Sequence, residues 1–134
     1  MNGRYIIPLN LGEHASEKSL FYLRRYIGEM ALGGYVAAYI GGARKRIVVD
    51  KGPPGLERIL KYHPYVRPEP HRPEQEMEVQ LSKTGVKPEE IDIIVLTHLH
   101  WDHVGQQVSK RRVYCVPGGV EVCLGSASLS LWGL

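Results

Sequence analysis

The stretch IDIIVLTHLHWDHVG, residues 91–105, decides the fold of this chain. Its first part, residues 91–96, is almost entirely apolar, which predicts a buried strand that is covered on both faces. Its second part, residues 97–103, holds three of the six histidines of the chain and one aspartate. The pattern therefore predicts a polar site at the end of a buried strand.

The polar part of this stretch has the composition of a metal site. His98 and His100 are two apart, so in an extended segment both rings project to the same side, while Asp102 and His103 can turn toward a second point nearby. Imidazole and carboxylate suit zinc and the harder first-row metals, and a pair of such ions about 3.5–4 Å apart can hold a nucleophilic hydroxide. The alternative, surface histidines beside a solvated aspartate, is disfavoured by the clustering.

The same residues carry a family resemblance. IDIIVLTHLHWDHVG resembles the H-x-H-x-D-H signature of the metallo-beta-lactamase superfamily, and YVAAYIGGARKRIVVDKG, residues 35–52, resembles the early hairpin of that family, which ends in an aspartate and a glycine, here Asp50 and Gly52. Trp101, inside the motif, resembles in particular the branch that contains the N-acyl homoserine lactonases. The resemblance covers about residues 4–105.

This resemblance implies an α/β fold, the N-terminal half of an αββα sandwich with the second half absent. It implies that His98 and His100 bind the first of two divalent ions, and that Asp102 and His103 bind the second. Zinc is the first choice of metal, with manganese, iron and cobalt as alternatives. The implied reaction is the opening of a small-molecule lactone or ester by a metal-bound hydroxide, with Asp102 as a catalytic proton shuttle.

The ligand set is incomplete in this sequence. The family needs two further histidines and a bridging aspartate downstream, but no histidine or aspartate follows His103. Each ion would keep two protein ligands, where zinc usually has three or four. Two alternatives stay open: a truncated, non-catalytic product that binds metal weakly at most, and assembly with a complementing C-terminal half that supplies the missing ligands. The partner is a homodimer copy or this C-terminal half.

The chain is divided into an N-terminal half-domain, residues 1–105, and a divergent tail, residues 106–134, expected to be poorly ordered. The tail, QQVSKRRVYCVPGGVEVCLGSASLSLWGL, lacks helical or alternating periodicity. Permitted codons read one nucleotide forward give NKFPNAEFIVYQAELKYALGPLPSLYGVY, which resembles the loop, strand and helix that follow the signature in lactonase-like proteins. We interpret the tail as the product of a frameshift after Gly105.

Apolar runs between glycine pairs predict three early strands, Arg4–Leu9, Tyr35–Ile40 and Arg46–Val49. The segment 13–30 remains open between a helix and a folded loop, and its apolar side chains are expected to pack in the core. These side chains are Leu20, Phe21, Leu23 and Ile27.

Two helices are predicted further along the chain. The first has apolar residues at helical spacing, Leu56, Ile59 and Leu60. The second begins at Pro73 and stops at Gly85, with Met77 and Leu81 facing the sheet.

Three polar residues outside the motif have two interpretations each. Asp50 could orient a neighbouring imidazole or could only form a turn, and we favour the first. His63 and His71 could be metal ligands or solvated loop histidines. They lie among prolines and have no partner at metal spacing, so we favour solvated loop histidines.

Composition limits the function. The chain has 134 residues, 43% of them hydrophobic and 23% charged, as expected of a single soluble domain. A net charge of +3 is too small to indicate a nucleic-acid partner. The sequence predicts neither a signal peptide nor a membrane span, so we expect a cytoplasmic protein without a membrane partner and with Cys115 and Cys123 reduced.

Overall fold

The computed structural model describes residues 3–64 and 66–106 and the backbone of residues 112–115. From the N-terminus the elements are β1 (Tyr5–Glu17), β2 (Met30–Gly41), β3 (Ile47–Val49), α1 (Leu56–Tyr62), β4 (Arg67–Pro68), α2 (Met77–Lys83), β5 (Ile93–Leu96), α3 (Trp101–Val104) and β6 (Arg112–Cys115). The expectation for the tail, residues 106–134, lies outside the described residues except for Gln106 and the backbone of β6. None of the described helices is long and apolar enough to cross a membrane.

The strands form one mixed sheet in the order β4-β1-β2-β3-β5-β6. The pairs β4-β1, β1-β2 and β2-β3 are antiparallel, whereas β3-β5 and β5-β6 are parallel. The α/β class expected from the sequence is therefore present. Because β3 and β5 are parallel neighbours, their carboxyl ends lie at the same edge of the sheet, where ligand sites of such folds are found.

The three predicted early strands are confirmed, but the first two are much longer than predicted. β1 and β2 form a hairpin that is paired from Tyr5 and Gly41 to Glu17 and Met30. The segment left open between helix and loop contains the end of β1, the turn of this hairpin and the first residue of β2. The turn itself, residues 18–29, contains one 3-10 turn, Lys18–Leu20.

The expectation that the apolar side chains of this turn pack in the core is wrong. Leu23 is 86% exposed and Ile27 is 78% exposed, and Leu20 and Phe21 are more than half exposed. The reason is geometric, since the strands continue beyond Ser16, the last buried residue of β1, so the turn lies beyond the core.

The core lies on one face of the sheet, because alternate side chains of a strand point to opposite faces. The buried face consists of Leu9, Leu11, Tyr35, Ala37, Tyr39, Val48, Ile94 and Leu96. Both predicted helices form, but the second begins at Met77 and not at Pro73, because Glu76 is extended and separates it from a 3-10 turn at Pro73–Gln75. The helices contribute Ile59 from α1 and Met77 and Leu81 from α2 to this core. The prediction that Met77 and Leu81 face the sheet is confirmed.

The opposite face of the sheet is not covered by the described residues. Ile6 and Val36 are exposed on it, and Ile93 and Val95 of β5 are half-buried. The expectation that the strand in 91–96 is covered on both faces is therefore not met within the described part of the chain. The physical reason is that α1 and α2 pack on the same face, which leaves the other face without a layer.

The chain after α3 packs tightly against the chain after β3. The N–H of Gly105 donates a hydrogen bond to the carbonyl of Gly52 at 2.8 Å. A Cβ atom at position 105 would overlap the backbone of Pro53 and Pro54. Gly105 has an ordinary right-handed conformation, so the constraint at this position is space and not backbone torsion.

We predict that Gly105→Ala lowers the free energy of unfolding by about 1–3 kcal/mol, because backbone atoms cannot move aside as a flexible side chain can. Urea unfolding followed by circular dichroism measures this change. Gly55→Ala is the matched control, since a Cβ there meets no atom within 4 Å and its φ of −57° suits alanine. Equal unfolding midpoints for the two variants would contradict the prediction.

Candidate functional site

The candidate site lies where β3 and β5 end. Asp50 directly follows β3 and has a φ of 63°, a left-handed conformation that aspartate tolerates better than most residues. Its N–H donates a hydrogen bond to the carbonyl of Val95 at 2.8 Å. This bond continues the pairing of β3 with β5 by one residue and places the Asp50 side chain beside Thr97, the first residue after β5.

The Asp50 carboxylate joins the two strand ends. It is 5% exposed, and it accepts hydrogen bonds from the backbone N–H of Thr97 at 2.8 Å and from the Thr97 hydroxyl at 2.8 Å. It also lies 2.8 Å from Nδ1 of His103, which donates to it. The interpretation that Asp50 orients a neighbouring imidazole is confirmed by this contact.

A second imidazole of the motif is held in a similar way. Nδ1 of His98 lies 3.0 Å from the hydroxyl oxygen of Thr97. With Nδ1 engaged, the Nε2 atoms of His98 and His103 are the nitrogens left for a metal ion. Fixing one ring nitrogen to orient the other is the common arrangement around metal-binding histidines.

All four predicted ligand residues lie close together. Oδ1 of Asp102 lies 3.4 Å from Nδ1 of His100, and Oδ2 of Asp102 lies 3.5 Å from Nε2 of His103. The ring centroids of His98 and His103 are 4.0 Å apart, and those of His98 and His100 are 5.6 Å apart. However, no three histidine, cysteine, aspartate or glutamate side chains within residues 3–64 and 66–106 are arranged to hold a metal ion together.

Asp102 has one carboxylate oxygen that is not satisfied by the described residues. Oδ1 of Asp102 is buried and has no hydrogen-bond partner among the described residues, since its contact with His100 does not have hydrogen-bond geometry. A buried carboxylate oxygen is costly unless a donor or a cation reaches it. The imidazole and carboxylate donors therefore fit a divalent cation, although they supply only part of a ligand set.

His14 and Tyr35 lie close enough to Asp102 to feel its charge, which the sequence did not predict. Tyr35 is 4% exposed, and burial and the negative charge of Asp102 both raise its pKa. The His14 ring stacks on the Tyr35 ring at a centroid distance of 4.6 Å, and burial lowers the pKa of His14 while Asp102 opposes that change. Strand alternation predicts that Tyr35 is buried, but the register that brings it to Asp102 is not visible in the sequence.

The interpretation of His63 as a solvated loop histidine is wrong. Its ring stacks on Trp101 at a centroid distance of 4.4 Å. Burial lowers the pKa of His63, and the neighbouring His100 lowers it further, while Asp102 raises it. His71 is exposed and lies 3.0 Å from Glu76, as expected of a solvated loop residue. His63, which is remote from the motif in sequence, therefore packs against it.

Several solved structures with a similar backbone are lactonases. An N-acyl homoserine lactone hydrolase with its product N-hexanoyl-L-homoserine at the catalytic metal centre is 19% identical, with a TM-score of 0.66 over 78% of this chain and 44% of that chain. A B. thuringiensis AiiA mutant with N-decanoyl-L-homoserine bound is 21% identical, with a TM-score of 0.64 and the same two coverages. AidC, a dizinc quorum-quenching lactonase, is 16% identical, with a TM-score of 0.52 over 77% of this chain and 35% of that chain.

These likenesses show the fold. The chain spans less than half the length of these three solved structures, so it matches part of the fold. No curated protein matches its sequence.

A family model described as the metallo-beta-lactamase superfamily matches residues 31–106, more than half of the chain. This range includes β2 after Met30, β3 and β5, Asp50 and the whole histidine motif. The chain therefore belongs to the metallo-beta-lactamase superfamily.

Proposed function

We propose that this chain is a metal-dependent hydrolase and that its substrate is a small-molecule lactone or ester. The observation that carries the proposal is the bonding of Asp50 to both Thr97 and His103. It leaves Nε2 of His103 free of Asp50 and 3.5 Å from Oδ2 of Asp102, whose other carboxylate oxygen is buried without a hydrogen bond among the described residues. The lactone class is supported by the homoserine products bound to similar structures.

In this proposal His98 and His100 hold a first divalent ion, and Asp102 and His103 hold a second. Zinc is our first choice, because the ligands are imidazole and carboxylate, and manganese, iron and cobalt remain alternatives. When bound, such ions lower the pKa of water and polarise a carbonyl group.

The chain's own residues have separate roles in the proposed reaction. Asp102 accepts at Oδ1 the proton that the attacking water loses as its oxygen bonds to the carbonyl carbon. Asp102 then returns this proton to the leaving alkoxide oxygen as the ring C–O bond breaks, so that water and lactone give a hydroxy acid. Asp50 and Thr97 keep His103 and His98 in a fixed orientation during these steps.

His100 is a proposed metal ligand, so its replacement tests metal binding. We expect His100→Ala to weaken zinc binding by the full-length chain at least tenfold, because few protein ligands are present and each loss is therefore large. Calorimetric titration of the metal-free protein with zinc measures the dissociation constant. His71→Ala is the control, because His71 is exposed, pairs with Glu76 and lies outside the motif. The metal proposal fails if the two variants bind zinc with equal affinity.

Asp50 is proposed to orient His103 without binding the ion itself. Asp50→Asn is expected to weaken zinc binding by about 10–100-fold, because an amide nitrogen in place of Oδ2 would face the N–H of His103. Asp92→Asn is the matched control, since Asp92 lies at the opposite end of β5 and binds Lys45. Circular dichroism spectra that match the wild type show that the variants are folded. If both variants keep the wild-type affinity, Asp50 does not orient a ligand.

The second candidate is a truncated, non-catalytic chain that binds metal weakly at most. Within the part of the chain that the structure describes, no three side chains form a metal-binding group. A chain with this property that receives no further ligands would bind metal weakly and hydrolyse nothing. We propose that the missing ligands are encoded in the shifted reading frame or are supplied by a separate C-terminal half.

Sequencing of the coding DNA across codons 105–107 and beyond tests the frameshift. The expected result is a forward-shifted frame that encodes two histidines and an aspartate downstream. A shifted frame without these residues would exclude the frameshift. Co-purification of a second polypeptide with the tagged chain would then test complementation, and addition of that polypeptide should restore tight zinc binding.

A further inference from the structure

The turn of the long hairpin, residues 18–29, exposes an unusual amount of apolar surface, and we name it the hairpin tip. Every residue from 20 to 30 is exposed. The large apolar side chains of the tip are Leu20, Phe21, Tyr22, Leu23, Tyr26 and Ile27, with exposed fractions from 47% to 86%. Met30 and Leu32 extend this surface along β2. Apolar patches of this kind on a protein surface mark interaction sites.

The hairpin tip has a defined conformation. The N–H of Lys18 donates to the carbonyl of Glu29 at 2.7 Å, and the N–H of Arg25 donates to the carbonyl of Tyr22 at 3.0 Å. Arg24 and Tyr26 have left-handed φ angles of 59° and 55°, which are unfavourable for side chains of this size. The tip therefore keeps its apolar side chains outward through specific bonds and at a conformational cost.

The charge of the hairpin tip is positive on its outer side. The acidic groups at its base have local partners. Glu17 accepts from Ser19 and from the N–H of Gly28, both at 2.8 Å, and Glu29 pairs with Lys18 at 2.9 Å. Arg24 and Arg25 form no ion pair with any described residue, and both are exposed. Two arginines are thus available to an anionic partner.

We propose that the hairpin tip docks on an anionic membrane surface. Leucine, isoleucine and aromatic side chains on a projecting turn can enter the region between lipid headgroups and acyl chains. The two arginines can then pair with lipid phosphates, as cationic residues do at membranes with a negative surface. A symmetric contact between two tips is less favourable, because it would bring the arginines of both copies together. This proposal revises the expectation that the chain has no membrane partner.

Vesicle co-sedimentation of the full-length chain tests the proposal. The probes are phosphatidylcholine vesicles with and without phosphatidylglycerol. We expect binding to the anionic vesicles, with a loss of at least tenfold in Leu23→Ser/Ile27→Ser and of about fivefold for each arginine replaced in Arg24→Gln and Arg25→Gln. Leu56→Ser/Leu60→Ser is the control, since both leucines are more than half exposed on α1, outside the hairpin tip, and their replacement should leave binding unchanged.

Membrane docking and self-association through the tip are distinguished by a second measurement. Size-exclusion chromatography with light scattering on the same variants reports the oligomeric state. The proposal is overturned if the wild type does not bind anionic vesicles, or if the tip and control variants bind them equally. It is also overturned if the tip variants only convert a dimer to a monomer, which would assign the tip to an interface between copies.

Discussion

The carboxylate of Asp50 is the group on which the arrangement of the site depends. It lies at the end of one parallel strand and accepts hydrogen bonds from Thr97, at the end of the next strand, and from His103 in α3. A buried carboxylate requires such donors, because an unpaired charge in the interior is costly. The same three bonds therefore supply the donors that a buried carboxylate needs in the folded chain, and they also orient the candidate metal ligands.

The one-sided core explains why part of this fold can form the site. α1 and α2 cover one face of the sheet, and this face fixes the positions of β3 and β5. Ile6 and Val36 on the other face remain exposed among the described residues. The superfamily match and the partial coverage of the solved lactonases agree with a chain that spans part of this fold.

Local patterns in the sequence predicted much of the fold and the motif, and failed where contacts are remote in sequence. The apolar run before Thr97 predicted β5, and the spacing of Met77 and Leu81 predicted the buried side of α2. His63 and Tyr35 were not placed beside the motif, because strand register and loop path bring them there. The hairpin tip was assigned to the core because composition reports hydrophobicity and does not report how far a strand pair extends.

The packing of Gly105 on the segment after β3 has a consequence for synthesis of the chain. Proteins emerge from the ribosome from the N-terminus at several residues per second. The contacts of His103 with Asp50 and of Gly105 with Gly52 join residues that all lie at or before position 105. Both partners of each contact are therefore synthesised before the codons that follow Gly105 are read, whichever reading frame those codons use.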